Sequence, residues 1–141
     1  MSAFDRAFLM VLRHEGPYIN DSRDPGGETQ FGISKRAYPN VDIAKLTEAE
    51  ASAIYRRDYW DAVKGDKLPE KLAIAVFDAA VNMGVDKAIR LLQASLRIKQ
   101  DGMMGPVTLG MVGKPDTLAR FTAQRVLAYT GMRNFDLYGA G

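Results

Sequence analysis

His14-Glu15-Gly16-Pro17-Tyr18-Ile19-Asn20-Asp21-Ser22-Arg23-Asp24-Pro25-Gly26-Gly27-Glu28-Thr29-Gln30-Phe31-Gly32-Ile33, residues 14 to 33, decides the fold. From residue 16 onward it holds the densest glycine, proline and aspartate content of the chain. It therefore reads as loop, with a short hairpin around Gln30 to Ile33. The rest reads as helix. The expected class is mainly α, with a short β-hairpin or irregular loop beside the candidate site.

On the N-terminal side, Phe4, Ala7, Phe8, Val11 and Leu12 fall on one face of a helix ending near His14. On the C-terminal side, Thr47 and Glu50 form a capping box opening a helix through Ala51, Ile54, Tyr55 and Tyr59. Pro69 suits the first turn of the next helix, whose stripe is Leu72, Ala73, Val76, Phe77, Ala80 and Val81. Met83-Gly84 stops it, and Asp86 can cap a helix using Ile89, Leu92 and Leu96. Asp101-Gly102 is a turn, and Gly105-Pro106 starts a short helix. Pro115 opens a longer helix with Leu118, Phe121, Thr122, Arg125, Val126 and Tyr129 on its face.

A chain of 141 residues makes one domain, or one with a small subdomain. Lys and Arg number 19 against 17 Asp and Glu, and a net charge of +2 is too weak to argue for nucleic acid. The absence of cysteine removes disulfide and thiol chemistry. With His14 as the single histidine, no metal site or cofactor is expected. The first residues lack the basic region and apolar core of a signal peptide, and no apolar run is long enough to span a membrane. A monomer made in the cytoplasm without a signal peptide is the expectation.

Glu15 closes the first helix, where the negative end of the macrodipole favours a protonated carboxyl. A carboxylic acid that keeps its proton near neutrality is what a glycosidase needs as general acid. Asp24 and Glu28 are candidates for a second carboxylate that positions or activates water, and the Thr29 hydroxyl could hold that water. Each has a plainer reading. Asp24 can form a turn before Pro25, Glu28 can pair with Arg23 or Arg36, and Thr29 can make a local turn bond. Tyr18, Phe31, Tyr59 and Trp60 could stack on sugar faces or simply pack. Asp78 and Asn82 share a helix face at i, i+4 and could touch sugar or organise the fold.

The motifs His14-Glu15-Gly16-Pro17-Tyr18 and Asp24-Pro25-Gly26-Gly27-Glu28-Thr29-Gln30-Phe31-Gly32-Ile33-Ser34-Lys35-Arg36 resemble those of the family 108 glycoside hydrolases. Tyr59-Trp60 and Phe77-Asp78-Ala79-Ala80-Val81-Asn82-Met83-Gly84 extend the resemblance. That family comprises phage endolysins and bacterial muramidases that assist protein secretion. The resemblance implies a lysozyme-like helical fold that hydrolyses the β-1,4 bond after N-acetylmuramic acid. It puts the family's proposed acid on Glu15, although Pro17 stands where a second glycine is usual. Eight residues separate Glu15 from Asp24 and four separate Asp24 from Thr29; phage-type lysozymes show the same first gap and five residues in the second.

Residues 1–87 are then expected to form the catalytic region. Residues 88–141, through Leu91-Leu92-Gln93-Ala94 and Asp101-Gly102-Met103-Met104-Gly105-Pro106-Val107-Thr108, resemble a small peptidoglycan-binding segment packed on it. The implied partner is the peptidoglycan glycan strand, reached in the periplasm or outside the cell through a holin or a secretion system. No carboxylate is placed as a covalent nucleophile, so a single displacement with inversion is the expected mechanism. The rival reading is a catalytically silent wall-binding or secretion-adaptor module on the same fold.

Overall fold

The computed structural model describes residues 1–14, 18–20, 23 and 27–138, with side chains described as far as Thr130. Helix α1 spans Ala3–His14 and buries Phe4, Ala7, Phe8 and Val11, while Leu12 is half-buried. The Ser2 hydroxyl accepts from the Asp5 amide and the Asp5 carboxylate accepts from the Ser2 amide, both at 3.1 Å, which closes the helix start. Phe4 and Phe8 stack at 6.0 Å, and Phe8 meets Tyr55 at 5.6 Å. The Arg56 guanidinium lies 5.3 Å above the Phe4 ring. Compactness divides the chain into Met1–Asp58 and Tyr59–Gly141. The resemblance divides it by role after residue 87, which is a different property.

In the first unit, β1 (Ile19–Asn20), β2 (Glu28–Gln30) and β3 (Ile33–Ser34) form an antiparallel sheet in chain order. The β2–β3 pair is the expected hairpin. Strand β1 is an addition, because two residues carry no readable alternation. Phe31 and Gly32 form the hairpin turn with φ of 53° and 77°. Positive φ at both positions is the mark of a type I′ turn, which suits the twist of the strands. An aromatic residue pays for that backbone, and the Tyr55 hydroxyl steadies it by donating to the Phe31 carbonyl at 2.7 Å. The Gln30 amide donates to the carbonyls of Ile43 and Leu46, each at 3.1 Å, tying β2 to the 3-10 turn Ile43–Lys45. Helix α2 (Glu48–Tyr55) opens on the expected Thr47–Glu50 capping box and passes into a π turn, Arg56–Trp60.

In the second unit, α3 (Glu70–Met83) packs on α4 (Val85–Leu96), and both pack on α6 (Thr117–Tyr138); α5 (Pro106–Met111) lies against α4. The α3 stripe is buried at Leu72, Ala73, Val76, Phe77 and Ala80, with Val81 half-buried. Pro69 is the N-cap of α3, one residue before its expected place. Gly84, with φ 97°, caps α4 instead of Asp86, which bonds Arg90 at 3.0 Å across one helical turn. On α6, Phe121 is fully buried, but Val126 and Tyr129 are 58% and 62% exposed. The expected α6 face is corrected there, because α3 and α4 leave that part of the helix uncovered.

Gln93 is buried on α4 and holds the segment before α5. Its amide nitrogen donates to Asp101 Oδ1 at 2.8 Å, the Met103 carbonyl at 3.0 Å and the Thr108 hydroxyl at 3.1 Å. Its oxygen accepts from the Gly102 amide at 3.0 Å. The Met103 amide, followed by Gln93, holds the Asp101 carboxyl below its ordinary range.

Trp60 packs directly against the backbone at Gly65. A Cβ added at Gly65 would overlap the Trp60 ring. Gly65→Ala is expected to destabilise the protein by about 1–3 kcal/mol through overpacking. Urea unfolding measures this, and an unchanged midpoint would contradict the close approach.

Candidate active site

Helix α1 ends at His14, and Tyr18 immediately precedes strand β1. Glu15 and Asp24 lie outside the described residues, as do Gly16, Pro17, Asp21, Ser22, Pro25 and Gly26. The structure therefore locates the second half of the motif region. There the Tyr18 hydroxyl donates to Glu28 Oε2 at 2.6 Å. That bond to a carboxylate, reinforced by desolvation and by the carboxylate's charge, raises the Tyr18 phenol above 10. Of the aromatic residues expected to line a cleft, Tyr18 is 39% exposed and tied to a candidate carboxylate.

The sheet sorts the candidates by face. Alternation along β2 puts Glu28 and Gln30 on one side and Thr29 on the other. Gln30 pairs with buried Ile33 and turns its side chain to the 3-10 turn, while Glu28, on the same side, pairs with exposed Asn20. Thr29 pairs with Ile19 on one flank and Ser34 on the other, and Ile19 is 45% exposed. Glu28 and Thr29 therefore face opposite sides and do not serve one water together.

The Tyr18 bond has a measurable consequence. Its phenol is raised in the folded state, so the stabilisation it gives is complete below pH 10 and is lost as pH climbs through the folded value. A difference absorbance titration, wild type minus Tyr18→Phe, should show its phenolate forming above pH 10. A midpoint at or below 10 contradicts the bond.

Trp60 takes the core side of its two readings. It is 0% exposed, meets Phe77 edge-on at 5.7 Å and donates its indole N–H to Asp66 Oδ1 at 2.9 Å. A ring with no open face offers no platform to a sugar, so the expected substrate contact is corrected. Its neighbour Tyr59 is half-buried on the same π turn, and Phe31 is half-buried at the hairpin turn.

Asp78 and Asn82 are brought together on α3. The Asn82 amide donates to the Asp78 carbonyl at 2.9 Å, and the Asp78 carboxylate accepts from Arg125 Nη1 of α6 at 2.7 Å. Sequence reasoning missed Arg125 as that partner, although a guanidinium within an apolar helical face already signalled a carboxylate opposite it. Among the described residues no cluster of acidic, histidine or cysteine side chains could hold a metal ion. No described helix is long and apolar enough to cross a membrane.

A mainly helical chain whose first helix leads into a small antiparallel sheet defines a lysozyme-like architecture. The family model described as Glycosyl hydrolase 108 matches residues 8–84, more than half of the chain, and the chain belongs to that family. It is also similar to the solved structure of Brucella abortus SagA, with a TM-score of 0.78 and 32% sequence identity. That match covers 98% of this chain and 86% of the SagA chain. No curated protein matches.

Proposed function

We propose that this protein is a peptidoglycan hydrolase, an N-acetylmuramidase that cleaves the β-1,4 bond between N-acetylmuramic acid and N-acetylglucosamine. The observation that carries the reading is the family match over residues 8–84, which contains the Glu15 motif and the whole sheet. Glu15, next after His14 in the sequence, is the general acid of this reading. It gives its proton to the leaving glycosidic oxygen. A water polarised by Asp24, Glu28 or Thr29 attacks the anomeric carbon from the opposite face, with inversion. Residues 88–141 bind the wall polymer and hold the enzyme on it.

Zymography on purified peptidoglycan, with mass spectrometry of the fragments, tests the bond. Products ending in reducing N-acetylmuramic acid support the reading. Binding to sacculi without release of reducing ends overturns it in favour of a silent wall-binding module. Proton NMR of the first-formed anomer is expected to show inverted configuration, and initial retention overturns single displacement. Asp24→Asn, Glu28→Gln and Thr29→Val, measured separately, identify the group that serves the water.

A further inference from the structure

Tyr18 stands outside the hydrogen-bonded ladder of the sheet. It precedes β1 and is 39% exposed, and among the described residues no other aromatic ring packs on it. Neither backbone pairing nor ring packing therefore sets the direction of its side chain. What fixes the ring lies at the hydroxyl. That hydroxyl donates to Glu28 Oε2 at 2.6 Å, and the Asn20 side chain bonds it as well.

Glu28 is held where Tyr18 is not. It opens the central strand β2, pairs with Asn20 on one edge, and on the other its carbonyl accepts the Lys35 amide at 2.8 Å. Its backbone is gripped from both sides, so its carboxylate is a fixed post. The ion pair with Arg23 or Arg36 that the sequence allows does not hold it, because among the described residues no cation pairs with Glu28. A carboxylate with no cation beside it makes a strong, charge-assisted acceptor for a phenol. A ring pinned at its Cα and at its hydroxyl meets a ligand already oriented, and the ligand does not bear the cost of ordering it.

We propose that Glu28 is a positioning residue, which acts through Tyr18 by holding that ring in one orientation for the glycan and does not serve the attacking water. The proposal rests on the peptidoglycan reading above and removes one of the three groups that reading offers to the water. Asp24 and Thr29 are left for that role.

The test measures hydrolysis of soluble, uncrosslinked peptidoglycan strands by the full chain and by its Glu28→Ala, Glu28→Gln and Tyr18→Phe variants. Glu28→Ala should raise KM by about two- to tenfold, the ordering cost of one freed side chain, and leave kcat within about threefold. Tyr18→Phe keeps the ring, removes the donor and should raise KM alike. The double variant Tyr18→Phe/Glu28→Ala should add nothing to either single change. Glu28→Gln offers the phenol an uncharged oxygen and should bring KM back toward the wild-type value. In Glu28→Ala the Tyr18 phenol, read as the difference from the double variant, should titrate closer to 10 than it does in the wild type.

A loss of kcat of about 10²–10⁴-fold in both Glu28 variants, with KM unmoved, puts Glu28 on the water and overturns the proposal. A lowered urea midpoint in Glu28→Ala with KM unmoved shows a structural role alone and overturns it too. In either case hydrolysis by the wild type keeps the muramidase reading. No hydrolysis by the wild type overturns both.

Discussion

Glu15→Gln is expected to lower the release of reducing ends from purified peptidoglycan by about 10²–10⁴-fold, the usual worth of a positioned general acid. Glutamine matches glutamate in size and still forms hydrogen bonds, but it has no proton to give to a leaving oxygen. The bond then breaks only as fast as binding and electrostatic stabilisation alone allow. Helical content should persist, because the apolar stripe of α1 lies at Phe4, Ala7, Phe8 and Val11 and does not include residue 15. Activity near the wild-type level in a folded variant removes Glu15 from the mechanism. A collapse of the circular dichroism signal would show that its role is structural.

Trp60→Ala is expected to cost about 3–5 kcal/mol, the range for deleting a buried large aromatic. The ring has no exposed area, packs edge-on against Phe77 and crowds the backbone at Gly65. Its removal also takes the indole N–H from Asp66. Truncation leaves a void that this surrounding backbone does not fill by itself. Thermal unfolding should move down by on the order of 10 °C. A loss below about 1 kcal/mol, together with weaker wall binding, would return the residue to the sugar-contact reading.

Elements with dense, periodic signals were legible in the chain. The stripes of α1 and α3 and the Thr47–Glu50 capping box hold because each is set by residues three or four apart. The β2–β3 hairpin was legible around Gln30–Ile33, although its turn uses Phe31 at positive φ where glycine or asparagine is usual. Strand β1 was hidden, since a two-residue strand is defined by its partner. The outer face of α6 misled for a related reason. Apolar spacing says which residues could be covered, and tertiary packing decides how far the cover extends. The Tyr18–Glu28 contact of the first unit and the Asp78–Arg125 contact of the second join residues 10 and 47 positions apart. No local pattern encodes pairs of that kind. Glu15 and Asp24 rest on sequence and family, because they lie outside the described residues.

The Gln93 amide and the Arg90 guanidinium govern how the segment from Gln100 to Gly105 can be exchanged. That stretch has no helix or strand of its own, and its shape comes from bonds to two side chains on α4, Gln93 and Arg90, the latter donating to the Gln100 carbonyl. Grafting it from a relative would therefore transplant a shape only if Arg90, Gln93, Asp101 and Thr108 travel as a set with a glycine at position 102. A chimera that takes the segment without its anchor inherits the letters and loses the conformation.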